Sequence, residues 1–143
     1  MGKNKRNQPS ENRILDILVH LPNVKEEYRK EEWFTAPNYY PIYNKLGKIL
    51  KPKSILEIGT LQGYSLISLL DGSCNVSEVT WVDNESYIPN SNAMCFENLQ
   101  YYLDHFGKQG RKLDVEFSRS KKILLNQIIE GKKYDLIHID GDH

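Results

Sequence analysis

Cysteine is scarce: Cys74 and Cys95 are the only two in 143 residues. That is too few for a disulfide scaffold or a cysteine-ligated zinc site, and it fits ordinary thiols in a reducing compartment. Long apolar runs are missing as well, so nothing matches the roughly 20 residues of a membrane-spanning helix. The opening stretch, residues 1–10, is polar and basic through Lys3, Lys5 and Arg6. No apolar segment follows it, so it does not read as a secretory signal; the expectation is a disordered tail. Nor is there an excess of either charge. Nineteen Lys and Arg balance nineteen Asp and Glu, whereas a broad nucleic-acid footprint needs a clear basic surplus. Finally, no Gly-Lys-Ser/Thr follows a glycine loop, which excludes a phosphate-binding P-loop. These absences predict a cytoplasmic protein whose partner is neither nucleic acid nor membrane.

What is present is an ordinary globular composition, 39% apolar and 27% charged. A chain of this size can bury about two-thirds of its unfolded surface. Ile14, Leu15, Ile17, Leu18 and Leu21 recur at helical spacing after a candidate Ser10 cap, predicting a helix to about His20 that Pro22 stops. A charged stretch, 25–32, leads to Trp33 and Phe34, which either pack on the core or cover a ligand. Pro41 suits a first helical turn. Ile42, Leu46, Ile49 and Leu50 then form one apolar stripe, and Pro52 closes the helix. Beyond it the pattern alternates. Strands are expected at 54–58, 79–82, 113–117 and 134–139. Helices are expected at 64–70, around Phe96, Leu99, Leu103 and Phe106, and around Ile123, Leu124 and Ile128. Strands separated by helices imply a parallel sheet with right-handed crossovers and helices on both faces. Ligands of such sheets bind where the carboxyl ends of the strands converge. The expected organisation is a tail at 1–10, a helical segment at 11–40 and a partial ligand-binding domain at 41–143.

Chemistry concentrates at those strand ends. The first strand runs into Glu57-Ile58-Gly59-Thr60-Leu61-Gln62-Gly63. Gly59 lets backbone approach a ligand closely, and Gly63 permits a tight entry into the next helix. The free N–H groups of that helix favour a carboxylate, while Glu57 could attract an ammonium group. Together they suit a zwitterionic amino-acid moiety. Asp83 ends the second strand, 24 residues after Gly59, where a carboxylate can accept hydrogen bonds from both hydroxyls of a ribose. The loop has one glycine fewer than the dinucleotide-binding fingerprint, so a pyrophosphate fits less well than a carboxylate.

Ile55-Leu56-Glu57-Ile58-Gly59-Thr60-Leu61-Gln62-Gly63-Tyr64-Ser65 resembles motif I of class I S-adenosylmethionine-dependent methyltransferases. Its Gly-Thr-x-x-Gly-Tyr-Ser form is similar to the small-molecule O-methyltransferases, including the catechol type. Tyr134-Asp135-Leu136-Ile137-His138-Ile139-Asp140-Gly141-Asp142-His143 resembles a fourth-strand motif of related methyltransferases. The resemblance implies a Rossmann-like three-layer α/β/α fold of the α/β class, its mainly parallel sheet truncated after the fourth strand. It implies S-adenosylmethionine held by Glu57, Gly59, Thr60, Gly63, Ser65 and Asp83. Ser65 would bind the methionine carboxylate, and Ser120 would approach the adenine. Ser118-Arg119-Ser120 departs from the family pattern there, and a helix cap is an equal reading of Ser120. The aspartate matching Asp140 binds a divalent cation such as Mg in catechol-type enzymes. The implied metal ligands are therefore Asp140 and Asp142, and the implied catalytic residues Asp140 and His143, the latter as ligand or general base. His138, inside a strand, reads as a packed histidine.

The implied activity is methyl transfer to a small-molecule acceptor at a hydroxyl, with homo-oligomerisation left open. Resembling enzymes continue through a fifth strand and a closing antiparallel pair. The alternative is therefore a non-catalytic nucleoside-binding or assembly module, a truncated pseudo-enzyme.

Overall fold

Strand β1, Ser54–Ile58, carries Ile55, Leu56 and Ile58 and is buried through its middle, as a strand covered on both faces must be. In the computed structural model, which describes residues 10–24, 39–108 and 110–140, β1 lies inside a four-stranded sheet. The order is β3-β2-β1-β4, with β2 at Glu78–Val82, β3 at Asp114–Ser118 and β4 at Leu136–Ile139. Every pairing is parallel: Ile55 lies opposite Val79 and Leu136, and Val79 opposite Val115. The expected α/β parallel architecture is present, and the fourth strand lies at an edge of the sheet.

Helices α1 (Ser10–Val19), α2 (Tyr39–Leu50), α3 (Tyr64–Gly72), α4 (Ser91–His105) and α5 (Lys122–Ile129) surround the sheet. From β1 to β2 to β3 the chain steps in one direction, so right-handed crossovers put α3 and α4 on the same face. The step back from β3 to β4 puts α5 on the other. Side chains agree with this assignment. Trp81 of β2 donates to Asn92 of α4, whereas Glu116 of β3 accepts from Gln127 of α5. The main core fills the first face, where Ile55, Val79 and Trp81 of the sheet meet Leu66, Ile67 and Leu70 of α3 and Leu99 of α4. Ile14, Ile17, Leu18 and Leu21 join the same cluster, so the first helix packs into the domain. The second face is thinly covered; Leu125, Ile128 and Ile129 of α5 and Ile137 and Ile139 of β4 are exposed.

One expectation is reversed. The apolar stripe of α2, Ile42, Leu46, Ile49 and Leu50, points outward, and Pro41, Asn44 and Gly47 are the buried side. The cause is close approach of α2 and α3. A Cβ on Gly47 would lie 2.4 Å from the Leu69 carbonyl oxygen, and one on Gly72 would lie 2.0 Å from that of Asn44. Bulky residues have no room at that crossing. Asn44 serves it instead by donating to the Ser68 carbonyl and to Asp71. Helix α2 also begins at Tyr39, so the expected boundary at 40/41 falls in its first turn. On α4, Phe96 is 38% exposed while Cys95, Asn98 and Tyr102 are buried with Leu99. Of the tail expected at 1–10, residues 1–9 lie outside the described residues and Ser10 begins α1; Trp33, Phe34 and the side chain of Ser10 also lie outside them. No helix among the described residues is long and apolar enough to cross a membrane.

Candidate functional site

The loop after β1 is built from backbone conformations that a side chain disfavours. Gly59 has φ 81° and Gly63 φ 88°, the left-handed region that glycine enters at no steric cost. Gly63 is also enclosed: a Cβ there would lie 2.7 Å from the sulfur of buried Cys95. The Gly59 N–H donates to the Val82 carbonyl at 2.8 Å, and Gly63 N–H to that of Thr60 at 2.9 Å, which folds the loop over the strand ends.

Asp83 fastens this loop to the next. It is 7% exposed. Its Oδ2 accepts the Leu61 N–H at 2.8 Å and its Oδ1 the Glu85 N–H at 2.8 Å. Each oxygen keeps further accepting capacity for a ligand hydroxyl. Helix α4 buttresses the arrangement. Asn92 Nδ2 donates to the Asp83 carbonyl, and Asn98 Nδ2 to that of Gln62 at 2.8 Å.

These loops bound an open cleft of about 840 Å³, lined among others by Gly59, Leu61, Asp83, Asn84, Arg119 and Asp140. That is within the size range of small-molecule and cofactor sites. A recess of about 60 Å³ adjoins it, sharing Gly59, Leu61 and Asp140. Thr60 and Ser65 line the recess, along with Tyr39, Tyr40, Tyr43 and Tyr64. Of the residues expected from sequence, Gly59, Asp83 and Asp140 therefore border the cleft, and Gly59, Thr60, Ser65 and Asp140 the recess. Gly63 sits behind, at the start of α3. Ser120 borders neither; its N–H caps onto the Ser118 hydroxyl, while its neighbours Arg119 and Lys121 line the cleft. Asp142 and His143 lie outside the described residues. Among the described residues no three His, Cys, Asp or Glu side chains converge as metal ligands would.

Glu57 is fully buried. Its Oε1 accepts the Ser65 hydroxyl and lies 2.6 Å from His138 Nδ1. Its Oε2 is buried with no hydrogen-bond partner, and so is the Thr60 hydroxyl. The hydrogen bond to Glu57 raises His138 above its ordinary value against the effect of burial. Burial raises Glu57, against the hydrogen bonds from His138 and Ser65. On its far side, His138 Nε2 lies 3.2 Å from the Tyr43 hydroxyl. One oxygen of Glu57 is thus committed within the protein, as is the proton of Ser65.

Sequence reasoning missed Tyr43, the partners of His138, the buttressing Asn92 and Asn98, and the 3.1 Å pair of cleft-lining Arg119 with Glu85. A signal existed for some of these. Asn92, Asn98 and Cys95 fall on the inner face of α4, and small polar residues there mark a helix that fastens backbone.

A family model described as O-methyltransferase matches residues 11–143. No curated protein matches significantly. Among solved structures, the chain is similar to an O-methyltransferase of Bacillus cereus solved in complex with SAH, at 24% identity and TM-score 0.52, over 94% of this chain and 56% of that one. It is similar to an SAH-bound methyltransferase of Podospora anserina at 18% identity and TM-score 0.55, over 93% of this chain and 50% of that one. An O-methyltransferase of Streptomyces achromogenes, solved with SAM, shares 17% identity at TM-score 0.54, over 93% of this chain and 53% of that one. These likenesses are of fold, and the chain spans about half the length of each structure.

Proposed function

The chain belongs to the O-methyltransferase family, and from that premise we propose that it forms the S-adenosylmethionine-binding part of an enzyme that methylates a small-molecule hydroxyl. The observation that carries this reading is Asp83. It is a nearly buried carboxylate at the end of β2, its two oxygens already aligned by the Leu61 and Glu85 amides, facing a cleft bordered by Gly59. Such an acceptor pair suits the two hydroxyls of a ribose. The unpartnered Thr60 hydroxyl and Glu57 oxygen favour the same reading, since buried polar atoms are rarely left without a partner.

In this reading Gly59 and Thr60 bring backbone against the ligand, and Gly63 sets the start of α3, whose first-turn amides meet the carboxylate of the amino-acid end. Ser65 and Glu57 form the floor beneath it, and the loop carrying Ser120 lies toward the base. S-adenosylmethionine, when bound, supplies a methyl group on an already activated sulfonium. What the protein adds is alignment of the acceptor oxygen and a place for its proton. Asp140, which borders both cleft and recess, offers a carboxylate oxygen for that proton, with His143 as the second candidate. A divalent cation held by Asp140 and Asp142 would draw on ligands outside the described residues, Asp142 among them.

The test is calorimetric titration of S-adenosylhomocysteine into the folded chain and into Asp83→Ala. Saturable binding, weakened at least about tenfold in the variant, is expected from the loss of a charged acceptor. A chain folded by circular dichroism that does not bind, or that prefers NAD, overturns the reading.

A further inference from the structure

The recess beside the cleft is walled by a carboxylate and aromatic rings. Asp140 and the rings of Tyr39, Tyr40, Tyr43 and Tyr64 line it, and among the described residues no Lys or Arg does. The rings are arranged as a cluster. Tyr40 meets Tyr43 edge-on with centroids 6.3 Å apart, Tyr40 meets Tyr64 at 6.3 Å, and Tyr43 meets His138 at 4.8 Å. Aromatic faces and a carboxylate both attract cations. At about 60 Å³ the recess takes a few atoms, not a nucleoside. It shares Gly59, Leu61 and Asp140 with the cleft, and Asp83 borders the cleft but not the recess. A ligand that places its ribose on Asp83 can therefore reach the recess with its other end.

Tyr43 stands out within this wall. Its hydroxyl is held 3.2 Å from His138 Nε2, and His138 Nδ1 is anchored 2.6 Å from the fully buried Glu57. A carboxylate, an imidazole and a phenol from β1, β4 and α2 thus stand in line and fix the phenol at the recess. Whichever way the proton lies between His138 and Tyr43, the phenol oxygen keeps a free lone pair. Burial, with Asp140 and Glu57 adding to it, raises Tyr43, so it meets a ligand as the neutral phenol.

We propose that Tyr43, held by His138 on Glu57, contacts the ammonium group of the ligand's amino-acid end, with His138 and Glu57 as positioning residues. This rests on the proposed function and adds to it a residue from α2, outside the glycine loop.

The experiment compares three ligands by calorimetry: S-adenosylhomocysteine, its decarboxylated analogue that keeps the amine, and 5′-methylthioadenosine, which lacks the amino-acid end. Each is titrated into the wild-type chain, Tyr43→Phe and His138→Asn. Tyr43→Phe removes one oxygen and keeps the ring packing. It is expected to weaken the first two ligands roughly tenfold, the scale of a hydrogen bond to a charged group, and to leave methylthioadenosine unchanged. His138→Asn is expected to reproduce that pattern, because Asn can still reach Glu57 but not Tyr43. Equal losses for all three ligands, or none, overturn the assignment of Tyr43 while wild-type binding keeps the proposed function standing. A folded wild-type chain that binds none of the three overturns both.

Discussion

Replacing Gly47 with alanine sets two physical effects against each other. Gly47 lies inside helix α2, where alanine is intrinsically the better helix former by about 1 kcal/mol. Judged on propensity alone, Gly47→Ala stabilises the protein. The structure predicts the opposite sign. The added methyl would lie 2.4 Å from the Leu69 carbonyl oxygen and 2.5 Å from the Ser73 hydroxyl. Ordinary van der Waals contact begins at about 3.4 Å, so the helices must separate by most of an ångström. The neighbours have little freedom to yield. The Leu69 oxygen belongs to the backbone of α3, and the fully buried Ser73 hydroxyl donates to it at 2.7 Å. Overpacking of this kind costs about 1–3 kcal/mol. With a backbone atom in the clash the cost falls in the upper part of that range, about 2–3 kcal/mol, so net of the propensity gain of about 1 kcal/mol Gly47→Ala is expected to destabilise by about 1–2 kcal/mol, or roughly 3–8 °C in Tm for a chain of this size. Urea unfolding followed by circular dichroism reads it directly. Tyr43 lies one turn before Gly47, so the same displacement is expected to weaken S-adenosylhomocysteine binding more than methylthioadenosine binding. An alanine variant as stable as wild type, or more so, refutes the close crossing of α2 and α3.

Three further predictions follow from buried groups. Asp71, whose side chain is 5% exposed, accepts hydrogen bonds from Arg13, Asn44 and Tyr102 and so ties α1, α2 and α4 to α3. Asp71→Ala leaves those donors short of a partner and is expected to cost about 2–3 kcal/mol in urea unfolding; a cost under about 0.5 kcal/mol would dismiss it as a hub. His138 is raised above its usual 6.5 by Glu57, so its folded form holds a proton that the unfolded chain releases first. That stabilisation is complete below 6.5 and is lost as the pH rises through the imidazole's raised value. Stability measured from pH 6 to 9 should fall along that limb in wild type and not in the double variant Glu57→Gln with His138→Phe, which removes both titrating groups, and a shared slope would place its cause elsewhere. Cys95 is buried, and burial pushes its thiol well up, with Glu57 and Asp83 adding to it. A thiol reagent at pH 8 should label exposed Cys74 in the native chain and both cysteines only in denaturant; rapid labelling of Cys95 would contradict its packing against Gly63.

The parallel sheet was legible because its signals are local. Each strand is a short apolar run bounded by turn residues, and each crossover helix carries its own periodicity. The cleft was legible for the same reason: Gly59 and Asp83 stand at strand ends, and a parallel sheet brings strand ends together. The face of α2 was not legible. Periodicity measures where apolar residues cluster, and at a tight crossing the contact belongs to whatever is small enough to fit. There Gly47 and Asn44 displaced Ile42, Leu46 and Ile49 to the outside. Ser120 itself does not border the cleft. Beyond the end of β3 the chain follows no fixed period, and it is Arg119 and Lys121 that turn to the cleft.

His138 illustrates what sequence leaves undetermined even when the element is right. Its strand was expected, and a histidine within a strand reads as packed. The register supplies the rest, because Glu57 lies directly opposite His138 in the β1–β4 pairing. With a period of two, both side chains point to the same face, the one that α2 covers. A shift of one residue in that register would send His138 to the α5 side and leave Glu57 buried against Ser65 alone. The carboxylate would then carry its desolvation cost with one partner fewer. The pairing of β1 with β4, and not the motif by itself, is what turns the glutamate of the glycine loop into a support for Tyr43. It follows that substitutions at His138 should be felt at the recess before they are felt at Asp83, on the far side of the cleft.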